Sequence, residues 1–351
     1  LERPSVDHEM DLAFCTLLLT QPFVWLLVLA VAVIQSPVTL LASLLCRRKP
    51  RSFRGLHVLI SGGSEGIGLE LAKQCAARGA TVTLVARTRS KLDAARAFVL
   101  EATPSAKVSV QTADVSQAAQ VAQAVELGEK ELGPVDVCIA SAGASIPKYF
   151  EDLTHDDFAK MMNVNYFGVV NLAKAVLPGM LSRGEGQFAA VSSMVAAVPF
   201  VGYAAYAPAK VACRSLMDVL RNEHADTPLQ FHVAFPPDTD TPGFEKENVT
   251  KPYETSHVFP EVFNEKFPAA DVAALMLDGM ARGDYFLRSP DSFGNLIVER
   301  AWGHFPRTQP LLSAAVAPLF VGLHGVLLWM VDRAVKKGAH HKPPAPPATK
   351  H

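Results

Sequence analysis

Cysteine and net charge are both scarce in this chain, and each shortage closes off a class of function. Its 351 residues hold five cysteines, at positions 15, 46, 75, 138 and 213, with no C-x-x-C pair and no histidine cluster beside them. That scatter excludes a disulfide framework and a zinc site of the usual spacing, so no metal is expected. Formal net charge is −1, which leaves no basic field to draw in nucleic acid. No repeat of fixed period and no internal linker interrupts the middle of the chain, which reads as one domain.

Charge is missing altogether between Asp11 and Arg47, a span that includes the apolar runs Phe23 to Ile34 and Leu40 to Leu45. About 20 apolar residues suffice for a helix to cross a bilayer. A cleavable signal peptide would carry a basic head, whereas this head is acidic (Glu2, Asp7, Glu9, Asp11) and the basic cluster Arg47-Arg48-Lys49-Pro50-Arg51 follows the apolar run. The stretch therefore reads as a membrane anchor divided by Pro22 and Pro37, with the chain after Arg47 on the cytosolic side. A second uncharged segment, Leu311 to Val331, is followed by Arg333, Lys336 and Lys337. Basic flanks after both segments cannot both be inside if each crosses once; a re-entrant or interfacial hairpin resolves the conflict. The expected organisation is an anchor and basic flank over 1–51, a folded domain over 52–300, a membrane-associated segment over 301–337 and a disordered Pro-rich tail over 338–351.

Between those ends, strand-like and helix-like patterns alternate. Strands are expected at 57–61, 81–86, 108–113, 135–140, 187–193, 230–235 and, less regularly, 285–288, which predicts an α/β doubly wound parallel sheet covered on both faces. The first strand runs into Gly62, Gly63, Gly66 and Gly68 and then into an amphipathic helix from Leu69. Strand, glycine turn and helix together make a phosphate cradle: glycines let backbone N–H groups approach an anion, and the helix N-terminus adds partial positive charge. The second strand ends at Arg87, with Lys91 one helical turn on, where an NAD site would carry an acid; two cations there suit the 2′-phosphate of NADP(H). Asp114 closes the third strand, either to accept from an adenine amino group or to cap the next helix.

Two further stretches carry chemistry. Tyr206 and Lys210 are four apart, on one face of a helix. A phenol titrates near pH ~10, and a neighbouring ammonium is expected to lower that and ready it for proton transfer. Pro208 is tolerated only in the first turn of such a helix, which puts Tyr206 near the mouth of a cleft. Ser192 and Ser193 follow an apolar strand, at the edge where open α/β sheets bind ligands; either could polarise a carbonyl or simply cap the next segment.

Taken together these residues resemble the short-chain dehydrogenase/reductase family over about 250 residues, as a Rossmann-type sheet with implied strand order 3-2-1-4-5-6-7. Ser61-Gly62-x-x-x-Gly66-Ile67-Gly68 resembles its cradle motif, with Ser for Thr. Asp114-Val115 resembles its adenine-site pair, and Ser141-Ala142-Gly143 the end of its N-N-A-G, with Ala140 in place of an asparagine. The resemblance implies that Tyr206 donates the proton, Lys210 lowers its pKa and holds the nicotinamide ribose, and Asn165 holds a water in the proton relay. It favours Ser193, thirteen residues before the tyrosine, over Ser192 for the carbonyl. It implies an NADPH/NADP+ site formed by Gly62, Gly63, Ser64, Glu65, Gly66, Ile67, Gly68, Arg87, Lys91, Asp114, Val115, Gly143, Tyr206, Lys210, Thr239 and Thr241.

A narrower likeness lies in Phe235-Pro-Pro-Asp-Thr-Asp-Thr-Pro-Gly-Phe244 and Thr250-Lys-Pro-Tyr-Glu-Thr255, which resemble the branch of the family that reduces 3-ketodihydrosphingosine. Pro236-Pro237 replaces the commoner Pro-Gly. This implies reduction of a long-chain 3-ketosphingoid base to dihydrosphingosine, at the endoplasmic reticulum membrane with the site facing the cytosol. A homodimer or tetramer, and contacts with other enzymes of sphingolipid synthesis, would be in keeping with it. The stretch from Pro242 to Pro268 is a candidate substrate lid, with Phe244, Phe259, Phe263 and Phe267 either lining an acyl-chain entrance or packing in the core. The competing readings are another membrane-bound lipid carbonyl reductase, for steroids, retinoids or ketoacyl groups, and an NADPH-binding scaffold without turnover.

Overall fold

Val58, Leu59 and Ile60 are wholly buried in successive positions, which happens only when a strand is covered on both faces. They belong to β1 (His57–Ser61), the central strand of the computed structural model, which describes residues 50–258 and 265–301. Around it stand β2 (Thr81–Ala86), β3 (Val108–Thr112), β4 (Val137–Ala140), β5 (Gln187–Val191), β6 (Gln230–Ala234) and β7 (Phe286–Leu287). All pair in parallel, in the order β3-β2-β1-β4-β5-β6-β7. The order implied by the family resemblance is the one observed.

The pleat of β1 divides the core. Leu59 packs with Val121 and Val125 of α3 (Ala118–Leu132), Leu172 and Val176 of α5 (Gly168–Arg183), and Cys213 and Met217 of α6 (Tyr206–Glu223). Val58 and Ile60 point the other way, to Leu71 of α1 (Gly66–Ala77), Leu92 of α2 (Arg89–Ala102) and Met276 of α8 (Ala269–Arg282). Because the chain reverses direction across the sheet between β1 and β4, a crevice opens at their carboxyl ends.

Several strands fall one or two residues short of their expected bounds, as the chain turns toward the cleft or a neighbouring helix. The two serines past the end of β5, for example, leave the ladder: Ser192 N–H still donates to Ala234 O at 2.8 Å, but Ser193 then caps a 3-10 turn, accepting from Val195 N–H. Val135, expected in β4, lies before it, and its carbonyl accepts from Arg183. The short α4 (His155–Met162), held by a Thr154/Asp157 capping box, runs through a π turn (Asn163–Phe167) into α5.

That continuous helix, His155–Arg183, is the only one among the described residues long and apolar enough to cross a bilayer. Its apolar side is part of the core through Leu172, Ala173 and Val176, so it is a packing helix of the domain. The apolar segments before Arg47 and over 311–331, the tail from 338, and Phe259 and Phe263 all lie outside the described residues. Phe267 packs beside the α8 core, which favours the core reading over an acyl entrance.

Two buried histidines brace the sheet. His57 joins Gly133 O and Thr83 Oγ1 at 2.7 and 2.8 Å. His232 bonds Asp284 O through Nδ1, while its Nε2 is buried without a partner. Burial holds His232 down to about 4, against the opposing pull of Asp284. A folded pKa below the unfolded one contributes stability that is complete above the unfolded value, near 6.5, and is lost as pH falls toward the folded one. The urea midpoint should therefore drop between pH 7 and pH 5, and His232→Leu should flatten that dependence; an unchanged slope in the variant would assign the acid sensitivity elsewhere.

Candidate functional site

The glycine turn is closed on itself. Gly62 and Gly66 have φ of 69° and 60°, which L side chains rarely adopt. A Cβ on Gly68 would sit 2.3 Å from Gly62 O, and one on Gly62 2.8 Å from the Ala142 backbone. Side chains are thus excluded where the turn meets α1 and the loop after β4, and the first N–H groups of α1 face the crevice. This arrangement fits a dinucleotide pyrophosphate. Gly63 differs from its expected role: its own Cβ would strike Leu84 at 2.8 Å, so this glycine serves packing against β2, and it does not line the cleft.

Glu65 occupies the N-cap position of α1 without capping it. Its carboxylate instead holds Lys91 at 2.5 Å and Lys246 at 3.5 Å, and the Lys91 hydrogen bond keeps it below its ordinary pKa. Lys91 is therefore not the free second cation that its spacing from Arg87 suggested; a carboxylate 26 positions earlier neutralises it. Arg87 is exposed at the cleft rim and makes no ion pair among the described residues. Asp114 is not a helix cap, since Gln117 holds that position for α3. Its Oδ1 accepts from Ser116 N–H and Oγ–H at 2.9 and 2.8 Å, which fixes the carboxylate beside Val115 at the cleft wall.

The cleft encloses about 520 Å³ and brings together Gly62, Ser64, Glu65, Gly66, Ile67, Gly68, Arg87, Lys91, Asp114, Val115, Gly143, Ser192, Ser193, Tyr206, Lys210, Thr239 and Thr241. Thr239 Oγ1–H donates to Pro237 O, while Thr241 Oγ1 caps α7 (Pro242–Asn248) by accepting from Phe244 N–H. A Cβ on Gly66 would lie 3.0 Å from the Thr241 methyl, so the segment after β6 closes over the cradle.

Tyr206 opens α6 and is half-buried, with Pro208 exposed in the first turn as its ring requires. Burial raises the phenol above its ordinary pKa, the charge of Glu247 adds to that, and a Ser193 hydrogen bond works against both. Lys210 stands one helical turn on from it. Its ammonium donates to Val191 O at 2.9 Å and stands 5.6 Å from the Tyr206 ring centre, and burial depresses its own pKa. The phenol therefore keeps its proton at neutral pH.

The two serines separate cleanly. Ser192 Oγ–H is buried and donates to Lys210 O at 2.9 Å, tying β5 to α6. Ser193 is the half-buried one and the one bonded to Tyr206. Asn165 does not line the cleft. Its Oδ1 accepts from Ala144 N–H, and its Nδ2–H groups donate to Ala144 O and Met161 O. The side chain positions the Gly143–Ala144 loop, and its Oδ1 and the Lys210 ammonium both lie against Gly143, at 3.1 and 3.3 Å from where a Cβ would stand. Ala140 is buried core, and the loop after β4 is held instead by Ser61 Oγ, which accepts from Ala142 N–H.

Four residues that spacing alone did not single out complete the substrate end: Tyr203, Asp238, Glu247 and Lys251. Tyr203 O–H donates to Glu247, and the Tyr203 and Tyr206 ring centres are 5.9 Å apart. The signal was partly present, since Asp238 and Lys251 sit in the two stretches that carry the narrower likeness.

The short chain dehydrogenase family matches residues 56–252 of the chain. Over 210 residues the chain is 41% identical to a 3-dehydrosphinganine reductase of Danio rerio, covering 59% of this chain and 63% of that protein, just under two thirds of its length. It is 40% identical over 235 residues to a 3-ketodihydrosphingosine reductase of Bos taurus, covering 66% and 71%. A Dictyostelium discoideum protein of the same name is 31% identical over 298 residues, covering 80% and 85%. Among solved structures, levodione reductase superposes with a TM-score of 0.64 at 25% identity, covering 70% of this chain and 98% of that one. An alcohol dehydrogenase from Thermococcus sibiricus complexed with 5-hydroxy-NADP gives 0.58 at 25%, covering 68% and 97%.

Proposed function

Since the chain belongs to the short-chain dehydrogenase family, we propose that it reduces 3-ketodihydrosphingosine to dihydrosphingosine with NADPH. The observation that carries this reading is the meeting of Ser193, a protonated Tyr206 and Lys210 in the cleft that the glycine cradle opens. NADPH, when bound, supplies the hydride that the C3 carbonyl carbon accepts. The cradle and the start of α1 would hold its pyrophosphate, and Arg87 would pair with its 2′-phosphate. Ser193 donates a hydrogen bond to the ketone oxygen and polarises it. Tyr206 gives its phenolic proton to that oxygen as negative charge develops there, and the resulting phenolate takes a proton back from solvent. Lys210, its ammonium 5.6 Å from the Tyr206 ring centre, would stabilise the phenolate and hold the nicotinamide ribose.

The substrate assignment rests on the named relatives and on the stretch from Phe235 to Thr255. It is tested by NADPH oxidation with the purified full chain against 3-ketodihydrosphingosine, a steroid ketone and retinal. Turnover confined to a steroid or retinal would replace the assignment.

The proposed setting is the endoplasmic reticulum membrane with the cleft in the cytosol. Asn248-Val249-Thr250 is an N-glycosylation sequon, exposed at the end of α7, and glycans are added only on the lumenal side. The sequon should remain unmodified in cells. A mobility shift on glycosidase treatment that disappears in Asn248→Gln would reverse the proposed orientation.

A further inference from the structure

At the substrate end of the cleft two carboxylates face a single lysine. Glu247 and Asp238 share one ammonium, that of Lys251, at 3.6 and 3.8 Å, both beyond hydrogen-bond distance. Lys251 is nearly buried and lies 4.5 Å from the Phe244 ring centre, so it is held where it is. The Glu247 carboxylate is only half-buried, is 16% exposed, and lines the cleft. Through Tyr203, to which it is hydrogen-bonded, it lies one aromatic ring from the Tyr206 phenol. In the same cleft Ser145 Oγ is buried without a hydrogen-bond partner. Two carboxylates on one cation leave an uncompensated charge at a partly desolvated place, which is costly unless a ligand completes it.

We infer that Glu247, supported by Asp238, is the specificity residue that binds a primary ammonium next to the ketone of the substrate. The inference rests on the reading above, in which the substrate carries an amine on C2 beside the C3 carbonyl. In the proposed complex the ammonium, one carbon from the carbonyl, would pair with Glu247 while the ketone oxygen sits at Ser193 and Tyr206. Ketones without a nearby cation, such as steroids and simple ketoacyl chains, leave the carboxylate with only the Tyr203 hydroxyl and a share of the Lys251 ammonium. Pairing also acts on the chemistry. The negative charge of Glu247 is one of the causes that hold the proton on Tyr206. A bound ammonium cancels that field, so the phenol releases its proton more readily when an amino ketone is in place.

The test compares two ketones of equal chain length, 3-ketodihydrosphingosine and its N-acetylated, uncharged form, on wild type and Glu247→Gln. Glutamine keeps an acceptor for Tyr203, so the lid contact survives, and NADPH binding by nicotinamide fluorescence reports folding. Wild type should prefer the amino ketone. Glu247→Gln should cut the ratio of kcat/KM, amino over acetylated, about 10- to 100-fold, the range of a hydrogen bond to a charged group. Glu247→Asp should recover part of that ratio. An unchanged ratio in Glu247→Gln, with both substrates affected alike, overturns the inference and leaves the substrate assignment standing. A wild type that reduces neither ketone overturns the assignment, and the inference falls with it.

Discussion

Tyr206→Phe is expected to lower kcat about 100- to 10,000-fold, the usual contribution of a positioned proton donor. NADPH binding should be nearly untouched. The change removes one oxygen from a half-buried ring whose neighbours, Tyr203 on one side and the Lys210 stem on the other, remain in place. The cradle is built from backbone far from the phenol, so cofactor affinity has no reason to follow. Ser193→Ala should cost less than Tyr206→Phe, because it removes a polarising hydrogen bond but not the proton. Ser192→Ala should act on stability, through the lost bond to Lys210 O. Lys210→Ala is a less clean experiment, since it also leaves Val191 O buried without its donor. Single-turnover oxidation of bound NADPH, alongside a fluorescence titration, separates chemistry from binding. Turnover in Tyr206→Phe within a few-fold of wild type would remove the phenol from the mechanism.

The second large effect is expected at the rim of the cofactor site. Arg87 is exposed and unpaired among the described residues, whereas Lys91 is held by Glu65 at 2.5 Å. Arginine alone is thus free to offer its planar fork to a 2′-phosphate. Hydrogen bonds to a charged group are worth roughly 1.5–3 kcal/mol, or about one to two powers of ten in affinity. Arg87→Ala should raise the Michaelis constant for NADPH about 10- to 100-fold and change that for NADH little. Arg87→Asp should go further and reverse the preference, because a carboxylate repels the phosphate and accepts from a ribose hydroxyl. Lys91→Ala should have the smaller effect, as its charge is already neutralised. Kinetics with both cofactors decide the matter: equal weakening of NADPH and NADH by Arg87→Ala would make this arginine a surface residue and withdraw the 2′-phosphate assignment.

The parts of this protein that the amino-acid order determined by itself are those fixed by short-range periodicity. A strand-glycine-helix run could form only the closed turn at Gly62 to Gly68, because no side chain fits there. Residues four apart on a helix had to share a face, which put Lys210 behind Tyr206. Alternating apolar runs required a sheet covered on both sides. What only the tertiary structure decided are contacts between segments distant in the chain, whose meeting depends on strand order and on which face each residue presents. Glu65 captures Lys91 across 26 positions, and Tyr203 reaches Glu247 across 44. Asn165 braces the loop after β4 through Ala144, 21 positions away. The choice between Ser192 and Ser193 was likewise open in the sequence. The alternation of side chains at the end of β5 separates them, sending the Ser192 hydroxyl to the α6 backbone and the Ser193 hydroxyl to Tyr206, because adjacent residues of an extended chain face opposite ways.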